Sequence, residues 1–178
     1  GYPQNKKTGG YDRWKFAFDI EIKKEISWIE KRKWFKKIEI GTGRKLKDGK
    51  DIAILSLGHP GNFAQTAIRQ LRIDGIDPAH YDIRFIKPLD EALLHEVFQN
   101  YDKIVTVEDA TVVGGMGSAI LEFMNEHNYS SKITILGIPD SIVEHGSLKQ
   151  LQQECHFDAI AIAEAVKALL GKQMLTEV

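Results

Sequence analysis

Residues 107–123, VEDATVVGGMGSAILEF, gather what a phosphate-binding turn requires: an apolar strand, three glycines within four positions, and an amphipathic stretch behind them. Such a turn presents free N–H groups at the positive end of a helix dipole, where an anion or a carboxylate is stabilised. The dinucleotide fingerprint G-x-G-x-x-G is not met. Aligning Gly115 and Gly117 puts Ile120 where a third small residue must let helix and strand approach. No Lys-Ser or Lys-Thr follows the glycines, which excludes a P-loop. What remains is a glycine-rich turn at a helix start, made by Gly114, Gly115, Gly117 and Ser118. Two readings stay open for it: a backbone closely approached by a neighbouring surface, such as another subunit, or a small-anion site.

The other reactive side chains are dispersed. Glu108 and Asp109 are adjacent at a strand end, so they point to opposite faces and do not form an acid/base pair. Loop hydrogen bonding or an interface contact is the role expected of them. None of the six histidines forms an H-x-x-x-H pair, so no metal site is supported. His145, beside glycine in VEHGS, is the histidine worth following. Arg84 and Lys87 flank a strand end in RFIKPLD and read as solvated charges or domain contacts. The single cysteine, Cys155, excludes an internal disulfide; Leu148 and Leu151 at helical spacing make it a buried structural thiol. The chain therefore carries no self-sufficient set of catalytic, cofactor-binding or metal-binding residues.

The elements that position these residues are readable from about Asp51 onward. Apolar runs at 51–57, 80–86, 103–107 and 132–137 predict four strands. Between them lie amphipathic stretches: Ala64, Ala67, Ile68 and Leu71, then Leu93, Leu94, Val97 and Phe98 behind a capping Asp90, then Ala119, Ile120, Phe123 and Met124. Two closing helices are expected at 147–155 and about 158–170. Strands alternating with helices predict a three-layer, doubly wound α/β domain with a mainly parallel sheet. The turn signals of IEIGTGRKLKDGKD add an antiparallel edge strand near 38–46.

The first third differs. Residues 1–50 hold 15 Lys+Arg against 7 Asp+Glu, while the rest holds 9 against 18. WKFAFDIEI alternates like a half-buried strand, and the basic, tryptophan-bearing stretch 23–37 reads as a helix or an ordered linker. The domain division expected is thus 1–37, a basic extension or linker, and 38–178, the α/β domain. The basic segment matches no nucleic-acid motif, no run reaches the roughly 18 apolar residues of a membrane span, and no signal-peptide core is present. The expectation is a cytoplasmic protein without nucleic-acid or membrane partners.

Taken together, DIRFIKPLDEALLHEVF, KIVTVEDATVVGGMGSAILEFM and LGIPDSIVEHGSLKQLQQECHFDAIAI, with the lead-in IEIGTGRKLKDGKDIAILSLG, closely resemble the C-terminal domain of the 1-deoxy-D-xylulose-5-phosphate synthase family. The resemblance runs from about Ile38 to Leu170. It implies a homodimeric enzyme that condenses pyruvate with glyceraldehyde 3-phosphate, releasing carbon dioxide, to supply isoprenoid, thiamine and pyridoxal synthesis. It also implies that thiamine diphosphate and Mg2+ are held by two upstream domains, while this third domain is non-catalytic and packs at the dimer interface. The family's metal motif G-D-G is absent here. The R-Y-P-R-G that usually precedes this domain is replaced by Gly1-Tyr2-Pro3-Gln4-Asn5, so no phosphate-gripping residue carries over. Transketolases and 2-oxoacid dehydrogenase β chains share related motifs and are the alternatives, together with a small-anion or protein-binding module of the same fold.

Overall fold

The computed structural model describes residues 38–171. The strand expected within WKFAFDIEI and the basic stretch 23–37 lie outside the described residues. Along the described segment the elements are β1 (Arg44–Lys47), β2 (Ala53–Leu57), α1 (Pro60–Ile73), β3 (Ala79–Asp82) and α2 (Glu91–Asn100). They continue with β4 (Lys103–Thr111), α3 (Met116–Glu126), β5 (Lys132–Ile138), α4 (Leu148–Glu154) and α5 (Ala159–Leu170). The five strands form one sheet in the order β1-β3-β2-β4-β5. β1 runs antiparallel to β3, and the other neighbours are parallel.

Alternation along the strands divides the core. Ile52, Ile54, Val105 and Val107 face α1 and α5, whose Ile68, Leu71, Ile162 and Val166 complete that layer. Ala53, Leu55, Tyr81 and Ile104 face α2 and α3 through Leu94, Val97, Ile120 and Phe123. The result is the three-layer α/β architecture predicted above. Three strands differ clearly in extent from the expected runs, and β4 continues past residue 107 to Thr111. The run 80–86 pairs only as far as Asp82, because Arg84 takes a left-handed backbone (φ 60°) and turns the chain away. The antiparallel edge strand lies at 44–47, the C-terminal end of the span expected for it.

Local chemistry sets the helix ends. Pro60 opens α1 in the first-turn position where its missing N–H costs nothing. Asp90 caps α2 by accepting the Leu93 N–H at 3.0 Å, and its second oxygen accepts the Gly43 N–H at 2.9 Å, tying the approach to β1 onto the same helix. Ser147 and Gln150 form a reciprocal capping box on α4. Cys155 is buried, and that burial pushes its thiol pKa up, so it behaves as a packing group.

One buried titratable group gives the domain a pH dependence. His80 is 1% exposed, with Nε2 2.9 Å from Ser56 Oγ. Burial lowers its pKa to about 4; nearby Asp82 opposes that shift and Arg44 reinforces it. The unfolded chain therefore takes up a proton below about pH 6.5 that the folded chain refuses until about pH 4. Stability should fall as pH drops through that window, by the order of 3 kcal/mol, and the loss should level off below it. Urea unfolding between pH 7 and 4 checks this. The fall should be clearly shallower in His80→Gln, and equal slopes would show that other groups govern it.

Candidate functional site

The glycine turn is built around a carboxylate supplied by the chain itself. Thr106 and Glu108 lie two residues apart on β4, on the sheet face that carries α3, and Glu108 is fully buried. Its Oε2 accepts the Met116 N–H at 2.7 Å and its Oε1 accepts the Gly117 N–H at 2.9 Å. Those are the first N–H groups of α3, at the positive end of its dipole. The position that a small anion would take is therefore occupied by Glu108. The sequence anticipated that a negative charge suits this turn; only the structure shows which group supplies it.

The glycines make room for that carboxylate. A Cβ on Gly115 would run into the Glu108 carboxyl group and the Thr111 carbonyl oxygen. A Cβ on Gly117 would lie 2.5 Å from Ile135 Cγ2 and 2.9 Å from Thr106 Oγ1, so α3 sits directly on β4 and β5. A Cβ on Gly137 of β5, which the sequence reading did not single out, would lie 3.2 Å from Glu108 Cγ and 2.8 Å from the Ala110 carbonyl oxygen. The close approach demanded by Gly115 and Gly117 is thus made within the domain. Gly114 serves the turn differently, through a left-handed φ of 75°. Its N–H donates to Ser118 Oγ at 3.0 Å, and the Ser118 hydroxyl donates to the Val112 carbonyl at 2.8 Å, which closes the loop over the helix start.

The other singled-out residues are not gathered here. Arg84 and Lys87 follow β3, which β2 separates from β4 in the sheet. The Arg84 guanidinium lies 3.5 Å from Asp82, and Lys87 is exposed. His145 is exposed in the loop between β5 and α4. Asp109 points to the opposite face from Glu108, toward a partner that the sequence does not identify. Its carboxylate lies 3.1 Å from His59 Nδ1, and Gln152 of α4 is 3.2 Å from His59 Nε2. The C-terminal end of β4 is joined this way to the start of α1, at the point where the strand order reverses. Asp109 directly follows the paired segment Ile104–Glu108, and His59 lies two residues past Leu57, the end of the segment that pairs with it.

Among the described residues, no group of three or more acidic, histidine or cysteine side chains is placed to hold a metal ion. Glu108 is the only buried acid among the described residues, and both of its oxygens accept backbone N–H groups. The donor set does not fit a magnesium diphosphate, which needs several free oxygen ligands. Among the described residues, no helix is long and apolar enough to cross a membrane.

Comparison with known proteins extends this picture. The family model for the transketolase C-terminal domain matches residues 41–162. The 1-deoxy-D-xylulose-5-phosphate synthase of Cytophaga hutchinsonii is 53% identical over 137 residues, covering 77% of this chain and 22% of that protein. The synthase of Bacteroides thetaiotaomicron is 54% identical over 122 residues, covering 68% of this chain and 19% of that protein. Among solved structures, a split-gene transketolase described as an inactive beta4 tetramer superposes with a TM-score of 0.71 at 30% identity. That match covers 76% of this chain and 44% of the transketolase chain. The chain spans about a fifth of the length of the curated relatives it matches.

Proposed function

This chain belongs to the transketolase C-terminal domain family, and from that premise we propose that it is the non-catalytic final domain of a 1-deoxy-D-xylulose-5-phosphate synthase. The observation that carries the choice within the family is the identity of more than half to synthases over the matched residues, against 30% to the transketolase. The parent enzyme would join pyruvate to glyceraldehyde 3-phosphate with loss of carbon dioxide, in the cytoplasm, as a precursor step for isoprenoids, thiamine and pyridoxal. Thiamine diphosphate, with Mg2+, supplies carbanion stabilisation in such an enzyme. In this reading both are held by upstream domains, because the donor set here does not fit them.

What this chain contributes is a rigid body and a surface. The buried Glu108 fastens the start of α3 to β4. Val113, 62% exposed in the glycine turn, and Ile142, 99% exposed after β5, follow neighbouring parallel strands and so lie at one end of the sheet. Exposed apolar side chains at that end support its use as a contact with upstream domains or a second subunit of a homodimer. In the same reading Arg84, Lys87 and His145 are domain contacts.

The deciding assay follows carbon dioxide release by the full-length protein that carries this chain, supplied with pyruvate and glyceraldehyde 3-phosphate. Release should depend on the aldehyde phosphate. Release that ignores the aldehyde, or turnover only with a ketose phosphate donor, would assign the chain to another branch of the family.

A further inference from the structure

A concave site lies away from the glycine turn, between α1 and the β1–β3 edge of the sheet. It encloses about 230 Å³ and is walled by Lys47, Gln65, Arg69, Arg72 and His80, with apolar contributions from Leu46 and Ile68. Gln65, Arg69 and Arg72 fall at i, i+4 and i+7 of α1 and therefore share one helix face. Neither arginine has a carboxylate partner among the described residues; the Arg69 guanidinium donates only to Thr66 Oγ1, at 3.0 Å. Lys47 is already held, its Nζ 2.6 Å from Asp77 and bonded to the carbonyls of Asp48 and Pro78. The excess positive charge thus comes from the two arginines, with Asp77 offsetting Lys47.

His80 is the unusual member of this wall, being almost wholly buried. Its Nε2 contacts Ser56 Oγ at 2.9 Å, whereas Nδ1 has no hydrogen-bond partner among the described residues. The Ser56 hydroxyl has two acceptors within reach, the Tyr81 carbonyl at 3.3 Å and His80 Nε2; an anion in the cavity selects the arrangement in which it donates to Nε2 and the neutral ring carries its proton on Nδ1. The neighbouring charges are Asp82 and Arg44, on β3 and β1.

We propose that this cavity binds the phosphate group of a compact small molecule, gripped by the Arg69 and Arg72 guanidinium groups and by His80. Two planar forks and one further N–H suit the several oxygens of a tetrahedral dianion, which guanidinium binds in bidentate fashion. The open concavity, of about 230 Å³, has room for a group of one or two phosphoryl units. The site is independent of the synthase reading and of the glycine turn, whose anion position Glu108 already fills.

Calorimetric titration of the 178-residue chain with inorganic pyrophosphate and with inorganic phosphate tests it. One saturable site is expected, with pyrophosphate bound more tightly. Arg69→Gln combined with Arg72→Gln should weaken binding at least about tenfold, the scale of losing charged, bidentate contacts. Both positions are exposed, so these changes leave the fold intact. His80→Gln should weaken binding several-fold, whereas the exposed Lys149→Gln should have no effect. Absence of saturable binding overturns the proposal. So does an equal loss in Lys149→Gln, which would reveal only diffuse surface charge. Unchanged affinity in a folded His80→Gln likewise overturns it, since the anion would then sit outside the cavity.

Discussion

Replacing Glu108 with alanine is expected to lower the stability of the domain by about 4 kcal/mol, more than any other single side-chain truncation at the glycine turn. The substitution leaves the Met116 and Gly117 N–H groups buried without an acceptor. Each orphaned donor costs about 1–3 kcal/mol, and here both sit at the positive end of a helix dipole. A void where the side chain had been adds to the loss. Glu108→Gln keeps the shape and one acceptor but turns an amide NH2 toward the second N–H, so about half the effect is expected. Thermal melting reads this directly: at this chain length about 4 kcal/mol corresponds to a fall in Tm of roughly 10–15 °C. An alanine variant within about 0.5 kcal/mol of the parent, the ordinary range for a surface change, would show that water replaces the carboxylate at no cost.

Gly115→Val is expected to be nearly as damaging, by about 3 kcal/mol, for a reason that has nothing to do with backbone freedom. Gly115 has φ −86° and ψ −163°, a conformation any residue adopts. The penalty arises because a Cβ there collides with the Thr111 carbonyl oxygen and displaces the Glu108 carboxyl group. The two predictions are therefore coupled. In a Glu108→Ala background the carboxyl clash is gone and only the Thr111 contact remains, so the double variant should be more stable than the two separate losses imply, by about 1–2 kcal/mol. Measuring at several protein concentrations separates this cause from an intersubunit one. The internal clash lowers the stability of the monomer itself. If Gly115→Val weakened only self-association while the monomer melted as before, the glycine would belong to the interface and the internal explanation would fail.

How far such features were legible in the sequence differs from element to element. β2 and β4 were readable because both faces are covered, so that AILSL and KIVTV are apolar at nearly every position. The end of β3 is not legible, because Ile83, Phe85 and Ile86 extend the apolar run past the point where Arg84 turns left-handed. The position of β1, at 44–47 against an expected 38–46, is obscured for the opposite reason. Its sequence RKLK is charged and largely exposed, and it is a strand because it pairs with β3, not because it buries a face. The cap at Asp90 depends on a residue three positions away, so local sequence carries it; the capping box of Ser147 is equally local but is seen only in the structure.

What the sequence determined by itself is the set of short-range preferences: the alternation that makes an α/β domain, the caps, and a glycine turn whose helix end favours a negative charge. It could not say which negative charge. Glu108 reaches Met116 and Gly117 only after β4 has paired with β5 and α3 has settled onto both, and the space for its side chain is left partly by Gly137, 29 residues further along. The same holds for His80, whose burial beside Ser56 and whose place below Arg69 and Arg72 follow from β3 lying next to β2 under α1. A donor's character is fixed by its residue type and its place in a helix or strand. Whether that donor is satisfied from within or left for a ligand depends on which distant side chain the packed sheet brings within about 3 Å of it, and that is decided only by the tertiary structure.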